Sequence, residues 1–298
     1  MSAIFNVVLP VALIVLVGVI AGHRLPIDIA SLTKLTLYVF APALAADAMY
    51  RAQLGAGDAI RIFVAFSLTT LLLYALSRFV AHMSGHSISE RKSLIATTIF
   101  PNSGNFGLSL TVLALGQEGL ERGFVTFAAS ALFVFGLGPA LVAGHGIREG
   151  FLTTVRLPMI WALVAGIGLR AGDVTLPTGI ADGLHLLAGA AIPTLLVTLG
   201  LQISRQKFTV QPSDITASGM RLVGGPIVAF TAGKAVGLDQ LALQVLVLQC
   251  ATPTAVNALL ISAEFGGDAR KAARVVVLSS LACLVTIPIV MWLMGIDG

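Results

Sequence analysis

The sequence predicts an all-α polytopic membrane protein of ten transmembrane helices arranged as two inverted five-helix repeats, and three observations predict it. Only 11% of the 298 residues are charged and 57% are hydrophobic, whereas soluble domains carry roughly a quarter charged residues. The apolar residues fall in long continuous runs, and a helix needs about 20 such residues to cross the hydrocarbon layer. The second half of the chain also repeats landmarks of the first at nearly constant spacing. A β-barrel would show alternating segments of about ten residues instead. The 31 glycines suit membrane helices, which pack closely through small residues.

Cutting the chain at charged residues and Gly/Pro clusters gives apolar runs near 3–22, 32–50, 59–81, 92–116 and 120–143, then 156–170, 180–203, 214–236, 240–263 and 272–294. The first run lacks a basic leader and a small-residue cleavage site, so it is expected to be a span rather than a removable signal. The second follows Leu25-Pro26 and closes at Arg51, and the third lies between Asp58 and His82. Arg91-Lys92 opens the fourth and Gly116 closes it; the fifth runs to the glycines after Val142. Arg156-Leu157-Pro158, Leu176-Pro177, Pro212, Asp239 and Arg270-Lys271 introduce the remaining five. The connecting loops are short, which leaves nothing outside the membrane large enough to fold alone.

Lysine and arginine are enriched in cytoplasmic loops and so set the orientation. With the N-terminus outside, thirteen of the 18 basic residues face inward, among them Arg91, Lys92, Arg148, Lys207 and Arg270, and five face outward. Both termini are therefore expected outside. The net charge of +4 does not imply nucleic acid, because the basic residues are scattered singly and form no stripe with interleaved aromatics. Cys250 and Cys283 lie inside apolar runs and read as buried thiols.

The repeat is visible in the prolines. Leu9-Pro10 and Gly18 recur as Leu157-Pro158 and Gly166 at an offset of 148. Leu25-Pro26 recurs as Leu176-Pro177 and Pro42 as Pro193 at 151; Pro101 recurs as Pro253 at 152 and Pro139 as Pro288 at 149. Ten of the 12 prolines pair in this way. Five spans per half is an odd number, so the second half enters the membrane from the opposite side, and residues 1–146 and 147–298 become inverted repeats, as in many secondary carriers.

Chemistry concentrates in the fourth and ninth spans. Pro101-Asn102-Ser103-Gly104-Asn105 places polar residues where a membrane helix should be most apolar, and Thr252-Pro253-Thr254-Ala255-Val256-Asn257 repeats the device, with Asn257 equivalent to Asn105. Proline removes a donor and clashes with the preceding turn. Opened backbone at that depth is tolerated only inside protein or beside a cavity. Pro101, Gly104 and Pro253 are thus expected helix breaks. Each break frees N–H groups at the start of a second half-helix, equivalent to roughly half a positive charge and suited to an anion. Asn102, Ser103, Asn105, Thr254 and Asn257 are the candidate substrate contacts; no catalytic or metal-ligating set is expected.

Those two motifs, Pro101 to Leu108 and Pro253 to Ala258 with the following Glu264-Phe265-Gly266-Gly267-Asp268, resemble the auxin efflux carrier family, which includes plant PIN carriers and bacterial carriers assigned to malonate. The resemblance covers essentially the whole chain. It implies crossing broken helices four and nine that hold an organic anion, a bacterial inner-membrane location and a homodimer. The chain departs from many members at Ser109, where they carry proline, and lacks the long cytoplasmic loop of some plant carriers, so auxin itself is not implied.

The expected function is therefore secondary transport of a small organic anion across the lipid bilayer, with no cofactor and no enzymatic activity. A sodium- or proton-coupled symporter is the alternative, and a membrane sensor or intramembrane enzyme a remote one. HExxH, Gly-x-Ser-x-Gly and phosphate-loop patterns are all lacking. Asp47 is expected as an interfacial or paired carboxylate, since an acidic residue at depth is costly. Arg221 is expected to snorkel to the cytoplasmic face. His82 and His86 read as solvated, as do Glu264, Asp268, Arg270, Lys271 and Arg274.

Overall fold

The computed structural model describes residues 2–143, 156–205 and 209–296, and these are helical apart from short connections and one isolated bridge. The junction expected between residues 146 and 147, with Arg148 and Lys207, lies outside the described residues. Among the described residues, seven helices are long and apolar enough to cross a membrane, including Val7–Arg24, Ile29–Arg51, Ala56–Met83, Thr178–Ser204 and Ala269–Leu293, and two shorter apolar helices are Pro158–Ala171 and Gln240–Cys250. Large apolar side chains such as Leu13, Ile20, Phe79, Leu186 and Trp292 stand exposed along these helices. Such surface would be a liability in water and is ordinary against lipid. The chain is an integral membrane protein.

Local chemistry sets the helix ends. Asp28 caps the helix that begins at Ile29: its carboxylate accepts from Ala30 N–H at 3.1 Å and from the Ser31 hydroxyl at 2.6 Å. The Ser31 and Ala30 bonds hold that carboxyl below its usual range. Ser87 and Glu90 form a reciprocal capping box at Ile88, and Asp239 and Asp268 cap Gln240 and Ala269 through side-chain bonds to Ala242 and Lys271 N–H.

Among the described residues, π turns widen three of the long spans, Ile29–Arg51, Ser103–Leu137 and Pro212–Val236. Ala41 N–H reaches back five residues to the Thr36 carbonyl just before Pro42, and Gly225 N–H does the same to Met220 just before Pro226. Proline's ring crowds the carbonyl four residues back, and a π turn relieves the clash by letting the backbone widen. The helix Ser109–Ala131 bends at Gly116, whose φ of 64° and ψ of −160° are accessible to glycine. This bend falls at the boundary expected between the runs 92–116 and 120–143.

Two close packings organise the bundle. Gly18 of Ser2–Arg24 meets Gly200 of Thr178–Ser204 so closely that a Cβ on either would strike the other helix's backbone. Gly166 of Pro158–Ala171 meets Ala41–Arg51, where a Cβ would lie 2.6 Å from the Ala46 carbonyl oxygen. Gly18 and Gly166 are the pair found at an offset of 148, and each seats a close helix contact. The principal core, including Ile99, Phe100, Phe106, Leu248, Cys250 and Ala258, surrounds the two segments that contain Pro101 and Pro253.

Candidate substrate site at two helix breaks

The helix Ile88–Ile99 stops at Phe100, which is extended (φ −102°, ψ 95°), and helical turns resume at Ser103. The helix Gln240–Cys250 stops likewise, and Val256–Glu264 resumes after an extended Ala255. Between them the two open stretches pair. Asn102 N–H donates to the Pro253 carbonyl at 2.8 Å and Ala255 N–H donates to the Phe100 carbonyl at 3.0 Å, around an antiparallel bridge of Pro101 with Thr254. Each break thus satisfies backbone groups that the other has opened, which buried polar groups require.

A cavity of about 330 Å³ opens beside this crossing, at the small end of ligand pockets. Asn102, Ser103, Gly104 and Asn105 line it from the first break, and Ala255, Val256 and Asn257 from the second. The starts of both resumed helices therefore face the same space, and neither has a side-chain cap. The first N–H groups of a helix have no intrahelical acceptor, so two positive helix ends converge on one cavity. None of the described residues lining it is Lys, Arg, His, Asp or Glu.

The sequence candidates separate at this point. Asn102, Ser103, Asn105 and Asn257 come together in the cavity wall; Thr254 does not line it. Thr254 is fully buried, with its hydroxyl donating to the Thr97 carbonyl at 2.8 Å and its N–H donating to Ser279 Oγ at 3.1 Å, so it ties the breaks together. The Asn102 amide nitrogen is buried with no acceptor among the described residues.

Two further residues escaped the reading of the sequence. Thr198 and Gln202 line the cavity from Thr178–Ser204, and Thr198 Oγ1 and Gln202 Oε1 are buried without partners among the described residues. Spacing of four puts them on one helix face. They lie 151 residues after Asp47 and Arg51, the offset of Pro42 and Pro193.

Asp47 is a paired carboxylate outside the cavity lining: it is 5% exposed, accepts from Arg51 Nε at 2.9 Å and contacts His185 Nδ1 at 2.9 Å. Arg221 does not snorkel. It is fully buried, with Nη1 donating to the Thr98 carbonyl at 2.7 Å and Nη2 donating to the Cys250 carbonyl. Position along a helix gives depth but does not say whether a side chain faces lipid or the bundle. The expected solvated face after Glu264 holds only in part: Glu264 and Arg270 are exposed, and two of its basic residues turn inward. Lys271 is buried, and Arg274 Nε donates to the fully buried Asp214 carboxylate at 2.6 Å. His86 is only partly solvated, with a buried Nδ1, and burial followed by the nearby Lys271 charge lowers its pKa.

Comparison with known proteins fits this geometry. Residues 149–291 match the family described as "Membrane transport protein". The chain is 28% identical over 288 residues to an uncharacterized transporter of Methanothermobacter thermautotrophicus, which covers 92% of this chain and 94% of that one. It is 23% identical over 241 residues to an uncharacterized transporter of Methanocaldococcus jannaschii, covering 78% and 77%. It is also 23% identical over 227 residues to a Rhizobium meliloti protein named "Putative malonate transporter", covering 72% and 70%. The chain is thus similar to membrane transport proteins over residues 149–291 and to transporters over most of its length. Its relatives bear out the resemblance carried by the two motifs, to membrane transport proteins of the auxin-efflux type.

Proposed function

We propose that the protein is a secondary transporter of a small organic carboxylate, working by alternating access around the crossing of the two breaks. One observation carries the reading: two uncapped helix starts and the unpartnered Asn102 amide converge on a cavity lined, among the described residues, by no ionised side chain. Each helix start offers roughly half a positive charge and free N–H donors. Together they suit an anion without a fixed cation that would hold it too tightly to release.

In this reading residues 1–146 and 147–298 are inverted five-helix repeats and the chain crosses the membrane ten times. The matched prolines and the close packing of Gly18 and Gly166 support the repeat. Asn105 and Asn257 are paired contacts, each amide able to offer two donors to a carboxylate. Asn102 and Ser103 add donors beside them. Thr198 and Gln202 face the far side of the substrate with groups able to meet a hydroxyl or a protonated carboxyl. The protein sits in a bacterial inner membrane as a homodimer with both termini outside. The rhizobial relative's printed name makes short dicarboxylates the first ligands to try.

The test is calorimetric binding to purified protein across short mono- and dicarboxylates, with sodium or choline as the cation and at two pH values. A carboxylate that binds saturably supports the proposal. Failure of every carboxylate, with saturable binding of a neutral or cationic solute, refutes it.

A further inference from the structure

Breaking two helices creates two positive ends and also two negative ones, at the carbonyls where Ile88–Ile99 and Gln240–Cys250 stop. Each negative end is equivalent to roughly half an elementary charge. In carriers built on broken helices, such C-terminal ends and unwound carbonyls hold the coupling cation.

Here a side chain stands in that place. Arg221 Nη1 donates to the Thr98 carbonyl at 2.7 Å and Nη2 donates to the Cys250 carbonyl. Those carbonyls are 152 residues apart, the offset of Pro101 and Pro253, so one guanidinium bonds equivalent atoms on both breaks. Arg221 is fully buried, and among the described residues no carboxylate forms an ion pair with it. Two ends of about −0.5 each balance its single positive charge. The surrounding sequence is shaped to the group. The π turn Met220–Gly224 carries Arg221, and a Cβ on Gly225 would strike both Arg221 Nη2 and the Cys250 carbonyl.

We propose that Arg221 is the resident cation of the crossing: a positioning residue that fills the place a coupling sodium ion would take between the two negative helix ends, so that the carrier cycles without sodium. Its consequence for coupling rests on the proposed transport function, but its seating between the helix ends does not. The test therefore uses no substrate.

Thermal unfolding of the purified full chain is followed in sodium chloride, choline chloride and low-millimolar guanidinium chloride at matched ionic strength. Wild-type protein is expected to melt at one temperature in sodium and choline. Arg221→Ala is expected to melt lower and to recover more than half of the loss in guanidinium or sodium, but not in choline. A purely space-filling arginine would give no such cation-specific recovery, and that result would overturn the proposal. So would sodium-specific stabilisation of the wild type. If Arg221→Ala does not fold, Arg221→Lys and Arg221→Gln decide: retained charge should preserve the fold better than retained neutral donors, and the reverse order would refute the assignment. The wild-type comparison stands even if no variant folds. A failure here leaves carboxylate binding at the cavity untouched, and failure of carboxylate binding leaves this result standing.

Discussion

Asn102 and His86 show how much a single side chain's surroundings decide. The Asn102 backbone is committed to Pro253, while its amide nitrogen is buried without an acceptor among the described residues. A buried donor left unsatisfied costs about 1–3 kcal/mol, a cost that the carboxylate of the proposed function would offset by accepting from it. His86 carries its own consequence for stability. Burial, and then the Lys271 charge, disfavours its imidazolium in the folded protein, whereas the unfolded chain titrates near the ordinary 6.5. Below that pH the unfolded state takes up a proton the folded state resists, so stability is full above about pH 6.5 and declines as pH falls through it. Melting between about pH 7.5 and about pH 5.5 should therefore show a steeper acid loss in wild type than in His86→Gln. Equal slopes would remove His86 from the account. At this scale the sequence was legible where a residue type conflicts with its depth, as for Asn105 and Asn257. It was silent on facing, which is why Arg221 and Lys271 were misread and Thr198 and Gln202 passed over.

Among elements, contacts between helices depend on what glycine leaves out. A methyl at Gly200 would meet the Val15 carbonyl, whereas Gly189 on the same helix has nothing within 4 Å of its Cβ position. Overpacking typically costs about 1–3 kcal/mol, and replacing an unhindered helical glycine with alanine gains roughly 0.5–1 kcal/mol. Gly200→Ala should therefore destabilise by about 1–3 kcal/mol while Gly189→Ala is neutral or stabilising, as read by thermal unfolding. If both variants behave alike, the Gly18–Gly200 contact does not hold these helices. Helix existence and most ends were readable from apolar runs, caps and prolines, because those signals are local. The bridge of Pro101 with Thr254 was not, since it joins segments some 150 residues apart and nothing local records which strand a freed carbonyl will find.

At the scale of the whole molecule, the thirteen-to-five distribution of basic residues sets a testable orientation. Cysteine labelling from either side should find the loops near Arg91 and Arg270 accessible from the cytoplasm and both termini from outside; an inward terminus would contradict it. The matched prolines made the two breaks legible in outline. The cavity's composition needed coordinates, because its walls come from segments scattered along the chain, from Thr33 to Leu260.

The central claim is that the converging helix starts and the paired asparagines hold a carboxylate. Its most direct test is the affinity of folded, monodisperse Asn105→Ala and Asn257→Ala protein for whichever carboxylate the wild type binds. Removing one buried hydrogen-bonding partner costs about 1–3 kcal/mol, or roughly five- to 150-fold in affinity. The account predicts that loss in each variant, with a larger loss for Asn→Asp, where a carboxylate faces the anion. Wild-type affinity in both alanine variants would contradict it.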